Sequence, residues 1–208
     1  MSLTSITAAE TDVDAKQCCT PTSETRSEIE TRSEVAGCMN FINFASMNTE
    51  YIEDLVFGER LLISETADKT ELDDNIRCAR ALLKNFPDMT IIIREHILEF
   101  HHRNPEYIIN GEIGDRKGIH SEKGISDAFK RGVEQGCRVI VLDLDMHMSE
   151  KLLHPNQIAK YISWRPDFAE FAIHTCYVVY RGRAVEIGCE IQEREQIAIV
   201  LEKLKAKQ

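Results

Sequence analysis

The chain has 208 residues, 43% of them hydrophobic, which suits one to two domains and one sizeable core. No apolar run approaches the roughly 18 residues that span a bilayer, and the first thirty residues carry Ser, Thr and acids where a signal peptide would have a basic start and an apolar stretch. These features exclude a membrane-embedded protein and a secreted one, so a cytoplasmic site of action with no membrane partner is expected.

A net charge of −10 speaks against a nucleic-acid binder until it is divided along the chain. Residues 1–75 hold 5 basic and 16 acidic side chains, while residues 76–208 hold 20 and 19. The acidity belongs to the front, and a near-neutral remainder is free to present a local basic groove. Seven cysteines form no C-x-x-C pair and are odd in number, which favours a reduced chain over a disulfide framework. His96, His101 and His102 cluster without the spacing of a zinc site and read as strand-end and loop residues.

Residues 1–40 read as a Ser/Thr/Glu-rich disordered leader, containing the tandem hexamers Glu24–Ile29 and Glu30–Val35. Two copies are too few for a solenoid, and a solvated tether or short frayed helix is favoured over a recognition motif. From residue 41 to 208 the chain is globular. Tyr51 to Ile63 suggests a short hairpin about Gly58. Glu71 to Phe86 is a helix with the stripe Leu72, Ile76, Ala79, Leu83 and Phe86, started by an Asp68 or Thr70 cap and closed by Pro87. Thr90–Arg94 is a β-branched strand. Tyr107–Ile109 and Glu112–Asp115 flank Asn110-Gly111, the strongest short signal for a two-residue type I′ hairpin. Ser121 to Gln135 is a helix ended by Gly136, and Cys137–Leu144 is a buried strand. A helix about Asn156–Ser163, a hairpin of Phe171–Tyr180 with Arg183–Ile187, and a helix from about Gln192 to Lys205 follow.

The Asn110-Gly111 turn fixes a register in which Ile109 faces Glu112, Ile108 faces Ile113, Tyr107 faces Gly114 and Glu106 faces Asp115. Glu106, Asp115 and Lys117 then share one face of the hairpin. Two opposed carboxylates destabilise a sheet unless something offsets their repulsion. Lys117 does part of this, and a divalent cation would do more. Magnesium needs hard oxygen ligands and keeps several waters, so one or two carboxylates with a substrate phosphate suffice. A lysine beside such an ion can orient the attacking water or stabilise phosphoryl charge. The rival reading is an exposed hairpin whose charged cluster is only a solvated face.

Pro105-Glu106, followed after eight residues by Asp115-Arg116-Lys117, resembles the P-D…(D/E)-x-K signature of the restriction-endonuclease-like superfamily. The stretch Asn104–Lys117, with Gln135-Gly136 and the strand Arg138–Leu144, is similar to the nuclease domains of contact-dependent growth inhibition toxins. The resemblance covers residues 70–145. It implies an α/β core of helix, three strands, helix and strand, here with an extra C-terminal hairpin and helix. It further implies an endonuclease hydrolysing phosphodiester bonds, with Mg²⁺ (or Mn²⁺) held by Glu106, Asp115 and Glu71 and with Lys117 positioning water. RNA of tRNA type is favoured over DNA by the resemblance alone, and it brings the expectation of a toxin with a cognate inhibitor protein. Gln135 matches a glutamine frequent in these domains, where it orients a phosphate or water. Glu71 is also what a helix N-terminus favours, Gln135 is also an ordinary helix-end residue, and Lys123, Lys130 and Arg131 are either phosphate contacts or a solubilising face. Glu replaces the usual Asp at 106, and Asp the common Glu at 115. The alternative function is a non-catalytic phage, mobile-element or protein-interaction module retaining the fold.

Overall fold

Runs of β-branched residues between turn signals build the sheet, and two short turns set its pairing. The computed structural model describes residues 50–99, 103–145, 154–163 and 172–205. All of them belong to one unit, Ala45–Gln208. The leader expected over residues 1–40, Cys18, Cys19, Cys38, His101 and His102 lie outside the described residues. The described order is β1 (Tyr51–Asp54), β2 (Gly58–Ser64), α1 (Leu72–Asn85), β3 (Ile91–Ile93), β4 (Tyr107–Ile109), β5 (Glu112–Gly118), α2 (Glu122–Glu134), β6 (Val139–Asp143), α3 (Pro155–Ser163), β7 (Thr175–Tyr180), β8 (Arg183–Gly188) and α4 (Arg194–Glu202).

The eight strands form one mixed sheet in sequence order. The pairs β2–β3, β5–β6 and β6–β7 are parallel and the other four are antiparallel. Alternation along the strands divides the core in two. On one face Ile91, Ile93, Tyr107, Ile109, Val141 and Val179 pack under α1. On the other, Ile140, Leu142, Cys176 and Val178 meet α2, α3 and α4. The crossovers through α1, α2 and α3 all step the same way across the sheet, yet α1 covers the opposite face. Its connection therefore has the opposite hand to the other two, and one hand departs from the right-handed rule for parallel crossovers.

Asn110 (φ 50) and Gly111 (φ 85) both occupy the left-handed region, as a type I′ turn requires. Arg181 (φ 50) and Gly182 (φ 70) repeat the arrangement between β7 and β8. Several expectations need correction at their ends. The first hairpin turns at residues 55–57, and Gly58 opens β2. Glu71 lies just outside α1 as its N-cap, without a side-chain capping bond. Asp68 instead accepts from the backbone N–H and hydroxyl of Thr70, forming a turn that leads into the helix. The buried side of α1 is centred on Asn75, Cys78, Ala79 and Leu82, with Leu72, Ile76 and Phe86 only partly covered. β7 starts at Thr175, later than expected. α4 ends at Glu202, where Leu204 and Lys205 bond back three residues and tighten the chain. Cys78, Cys137, Cys176 and Cys189 are unpaired thiols. Among the described residues no helix is long and apolar enough to cross a membrane.

Candidate active site

The β4–β5 register is the one the turn dictates: Tyr107 opposite Gly114, Ile108 opposite Ile113, Ile109 opposite Glu112. One step further lies Glu106, whose carbonyl accepts from Arg94 N–H and so carries the β3–β4 pairing past the end of β4. The same step along β5 reaches Asp115, which β6 covers through its pairing with Ile140. Asp115 is fully buried, and Lys117 Nζ lies 2.5 Å from its Oδ2 as an ion pair. Among the described residues, Oδ1 of Asp115 and Oε2 of Glu106 are buried without a hydrogen-bond partner of good geometry. Buried carboxylate oxygens are ordinarily bonded, so two such oxygens in one place mark an incomplete set of contacts.

The electrostatics show that the acids have converged. Burial, then the charges of Asp115 and Glu71, push the Glu106 carboxyl up to about 9, against the opposing pull of Arg116. Burial raises Asp115 too, although the Lys117 ammonium draws it down. Glu71 acts on both: its charge raises the Glu106 and the Asp115 carboxyl. The side chain of Glu71 is 49% exposed and that of Lys117 22%, so the cluster opens to solvent on their side. Cys137, at the mouth of β6, feels the same charges: burial and then Asp115 push its thiol up to about 12, which keeps it protonated.

Arg116, the middle residue of the triplet, joins the cluster through contacts that spacing does not reveal. It alternates to the α1 face, where it is buried. Its Nε donates to Asn75 Oδ1 at 2.6 Å, Nη1 to Asp143 Oδ2 at 3.1 Å and Nη2 to Glu71 Oε2 at 2.9 Å. Glu106 Oε2 stands 3.9 Å from its Nε. Asp143 ends β6 with no exposed surface and also binds Arg77 at 2.6 Å, while Arg77 reaches Asp145 and Asp74. The available signal was Asp143 itself, an acid closing the wholly apolar run Val139–Leu142. Such a residue demands a cation from elsewhere.

Of the five expected site residues, Glu71, Glu106, Asp115 and Lys117 come together. Gln135 is the C-cap of α2, and its Oε1 is buried without a hydrogen-bond partner among the described residues. Lys123, Lys130 and Arg131 are exposed along α2. His96 Nδ1 lies 3.6 Å from Asp68 Oδ2. Among the described residues, no three His, Cys, Asp or Glu groups already stand in metal-ligand geometry. Lys117 and Arg116 occupy the positive positions instead. The donor set nevertheless fits a hard divalent cation: the atoms are carboxylate oxygens, two of them are buried without a hydrogen-bond partner, and burial with the neighbouring acids raises the Glu106 carboxyl. No known family model, curated protein or solved structure matches this chain.

Proposed function

We propose that the protein is a metal-dependent phosphodiesterase of the restriction-endonuclease-like class, acting on nucleic acid with RNA favoured. The observation that carries this reading is the mutual coupling of Glu106, Asp115 and Glu71 in one partly buried cluster, with Lys117 Nζ on the Asp115 carboxylate. The order α1, β3, β4, β5, α2, β6, with α1 and α2 on opposite faces, supports it. Glu106 and Asp115, joined by Glu71, would hold Mg²⁺ or Mn²⁺, which supplies Lewis acidity toward a phosphoryl oxygen and a water of lowered pKa. The chain's own residues do the rest. Burial leaves the Lys117 ammonium as the cation against the Asp115 carboxylate. Lys117, one strand position along the same face, presents an ammonium that orients the water or meets charge on the phosphoryl group. Arg116 fixes Glu71 and Asp143 from beneath and sets where the acids point.

Incubation of the protein with total tRNA and with plasmid DNA, in Mg²⁺ and in EDTA, tests this. Cleavage in Mg²⁺ that is lost in EDTA and lost in Lys117→Ala is expected. Intact substrates under every condition, or cleavage undiminished in Lys117→Ala, would overturn it.

A second reading rests on Arg116. With Glu71, Asn75 and Asp143 it forms a buried ion network of a kind that also serves structure alone. On that reading the chain is a non-catalytic module, and the acids are indifferent to Mg²⁺.

A further inference from the structure

The face of the sheet that carries Glu106, Asp115 and Lys117 is covered by α2, α3 and α4 over β6, β7 and β8. On β2 to β5 that same face presents a row of aliphatic side chains, because residues two apart along a strand share a side. The register places Leu62 beside Ile92, Ile92 beside Ile108 and Ile108 beside Ile113. None of the four belongs to either core cluster. Leu62 and Ile92 are half-buried and Ile113 is 40% exposed, while Ile108 between them is buried. Single exposed aliphatics are ordinary on a protein surface. Four in adjoining register positions make a continuous strip instead, about 14 Å long at about 4.8 Å between strands. One position further lies Arg138, whose N–H donates to Ile113 O. Its side chain is exposed and, among the described residues, in no ion pair.

We infer that this strip seats the bases of a single-stranded nucleic acid whose phosphate lies at the acid cluster, with Arg138 taking a neighbouring phosphate. The inference rests on the hydrolase reading and adds the strand state of its substrate. Ile108 stands two residues from Glu106, and Ile113 two residues from Asp115, on the same face. Two residues along a strand span about 7 Å. A nucleotide with its phosphate at Asp115 and Lys117 thus brings its base down on Ile108 and Ile113. The chemistry of the strip selects the strand state. An unstacked base has a flat apolar face that gains by leaving water. A duplex closes those faces inside its stack and turns a charged backbone outward, to which aliphatic side chains offer no partner. The guanidinium of Arg138, at the end of the strip, suits a phosphate.

The test is binding in EDTA, where the strand stays intact. The probes are a fluorescent twelve-nucleotide 2′-O-methyl RNA, the duplex it forms with its complement, and an abasic oligomer of equal length and charge. The parent should bind the single strand at least about tenfold tighter than either of the others. Ile113→Ser should weaken binding of the single strand about fivefold and leave the slope of log Kd against log salt unchanged, since an apolar contact releases no counterions. It should not affect the abasic oligomer. Arg138→Ala should reduce the slope by about one. Both positions are exposed, and melting temperatures establish that the variants are folded; if Ile113→Ser is not, the three probes decide on the parent alone. No binding of the single strand, or a duplex or abasic oligomer bound as tightly, would overturn the inference. A folded Ile113→Ser that binds like the parent, or an unchanged slope in Arg138→Ala, would overturn it as well. So would a dimer in sedimentation that Ile113→Ser dissociates, because the strip would then be an interface between copies. Base-dependent binding of the single strand with no cleavage in Mg²⁺ keeps the strip and removes the hydrolase. Mg²⁺-dependent cleavage of a duplex with no preference for the single strand does the reverse.

Discussion

Glu106 is the residue whose chemistry differs most from its ordinary state. Its carboxyl is raised from 4.5 to about 9 by burial, with the Asp115 and Glu71 charges adding to it. The folded protein therefore keeps a proton that the unfolded chain releases. For this group stability is complete below pH 4.5 and declines as pH rises from there to about 9. In EDTA the melting temperature should fall across that window, and Glu106→Gln, which resembles the protonated acid, should flatten the decline. A parent curve as flat as that of the variant would contradict the buried protonated state. Asp54 and Asp68 have the opposite sign. Asp54 is lowered by bonds from Arg80, Val56 and Phe57 that outweigh its burial, and Asp68 by its bonds from Thr70. Their contribution is lost on the acid side, as pH falls through their lowered values. Arg116 carries a different prediction. Its side chain is only 4% exposed and serves Asn75, Glu71 and Asp143 together. Arg116→Ala leaves buried Asp143 with Arg77 alone and should cost about 3–5 kcal/mol in denaturant unfolding. A loss below about 1 kcal/mol would mean the network relaxes around the gap.

Among the elements, the hairpin shows how far local chemistry reaches. Asn110-Gly111 permits one turn type, that turn permits one register, and the register sets Glu106 beside Asp115 with no information from the rest of the chain. Glu71 was legible only through resemblance, because its approach depends on where α1 crosses the sheet. Arg116 was not legible from spacing at all: its partners come from α1, from the N-cap of α1 and from the end of β6, which no local pattern joins. Helix ends slipped by a residue or two where Asp68 and Thr70 formed their own turn in place of a cap. α2 supplies the test at this scale. A Cβ on Gly132 would overlap Ile140 Cδ1 and crowd its Cγ1 at 3.1 Å. Alanine gains about 1 kcal/mol in helix propensity over glycine, but Ile140 is fully buried and has little room to give. Overpacking at such a contact typically costs about 1–3 kcal/mol. Gly132→Ala should therefore be neutral to destabilising by up to roughly 2 kcal/mol. A gain of the full propensity would show that β6 yields to α2 freely.

At the scale of the whole molecule, the sheet gathers what the chain disperses. β5 and β6 run parallel, so Asp115, Lys117 and Asp143 lie toward their C-terminal ends, and antiparallel β4 begins with Glu106 just before it at that same end of the sheet. α1 begins there with Glu71 as its N-cap. The cluster draws on residues far apart in the chain: Glu71 from residues 1–75, and Glu106, Asp115 and Lys117 from residues 76–208. The central claim is that these acids form a cation site. It is tested most directly by the melting temperature of the parent and of Asp115→Asn, each with and without Mg²⁺ up to millimolar concentration. In the absence of metal Asp115→Asn should be as stable as the parent or slightly more so, by up to roughly 1 kcal/mol, because repulsion with Glu106 and Glu71 is relieved. Mg²⁺ should raise the parent's melting temperature by mass action and leave that of Asp115→Asn unmoved. A parent that does not respond to Mg²⁺, or a variant that responds as much as the parent, would contradict the account and leave the cluster as a structural ion network.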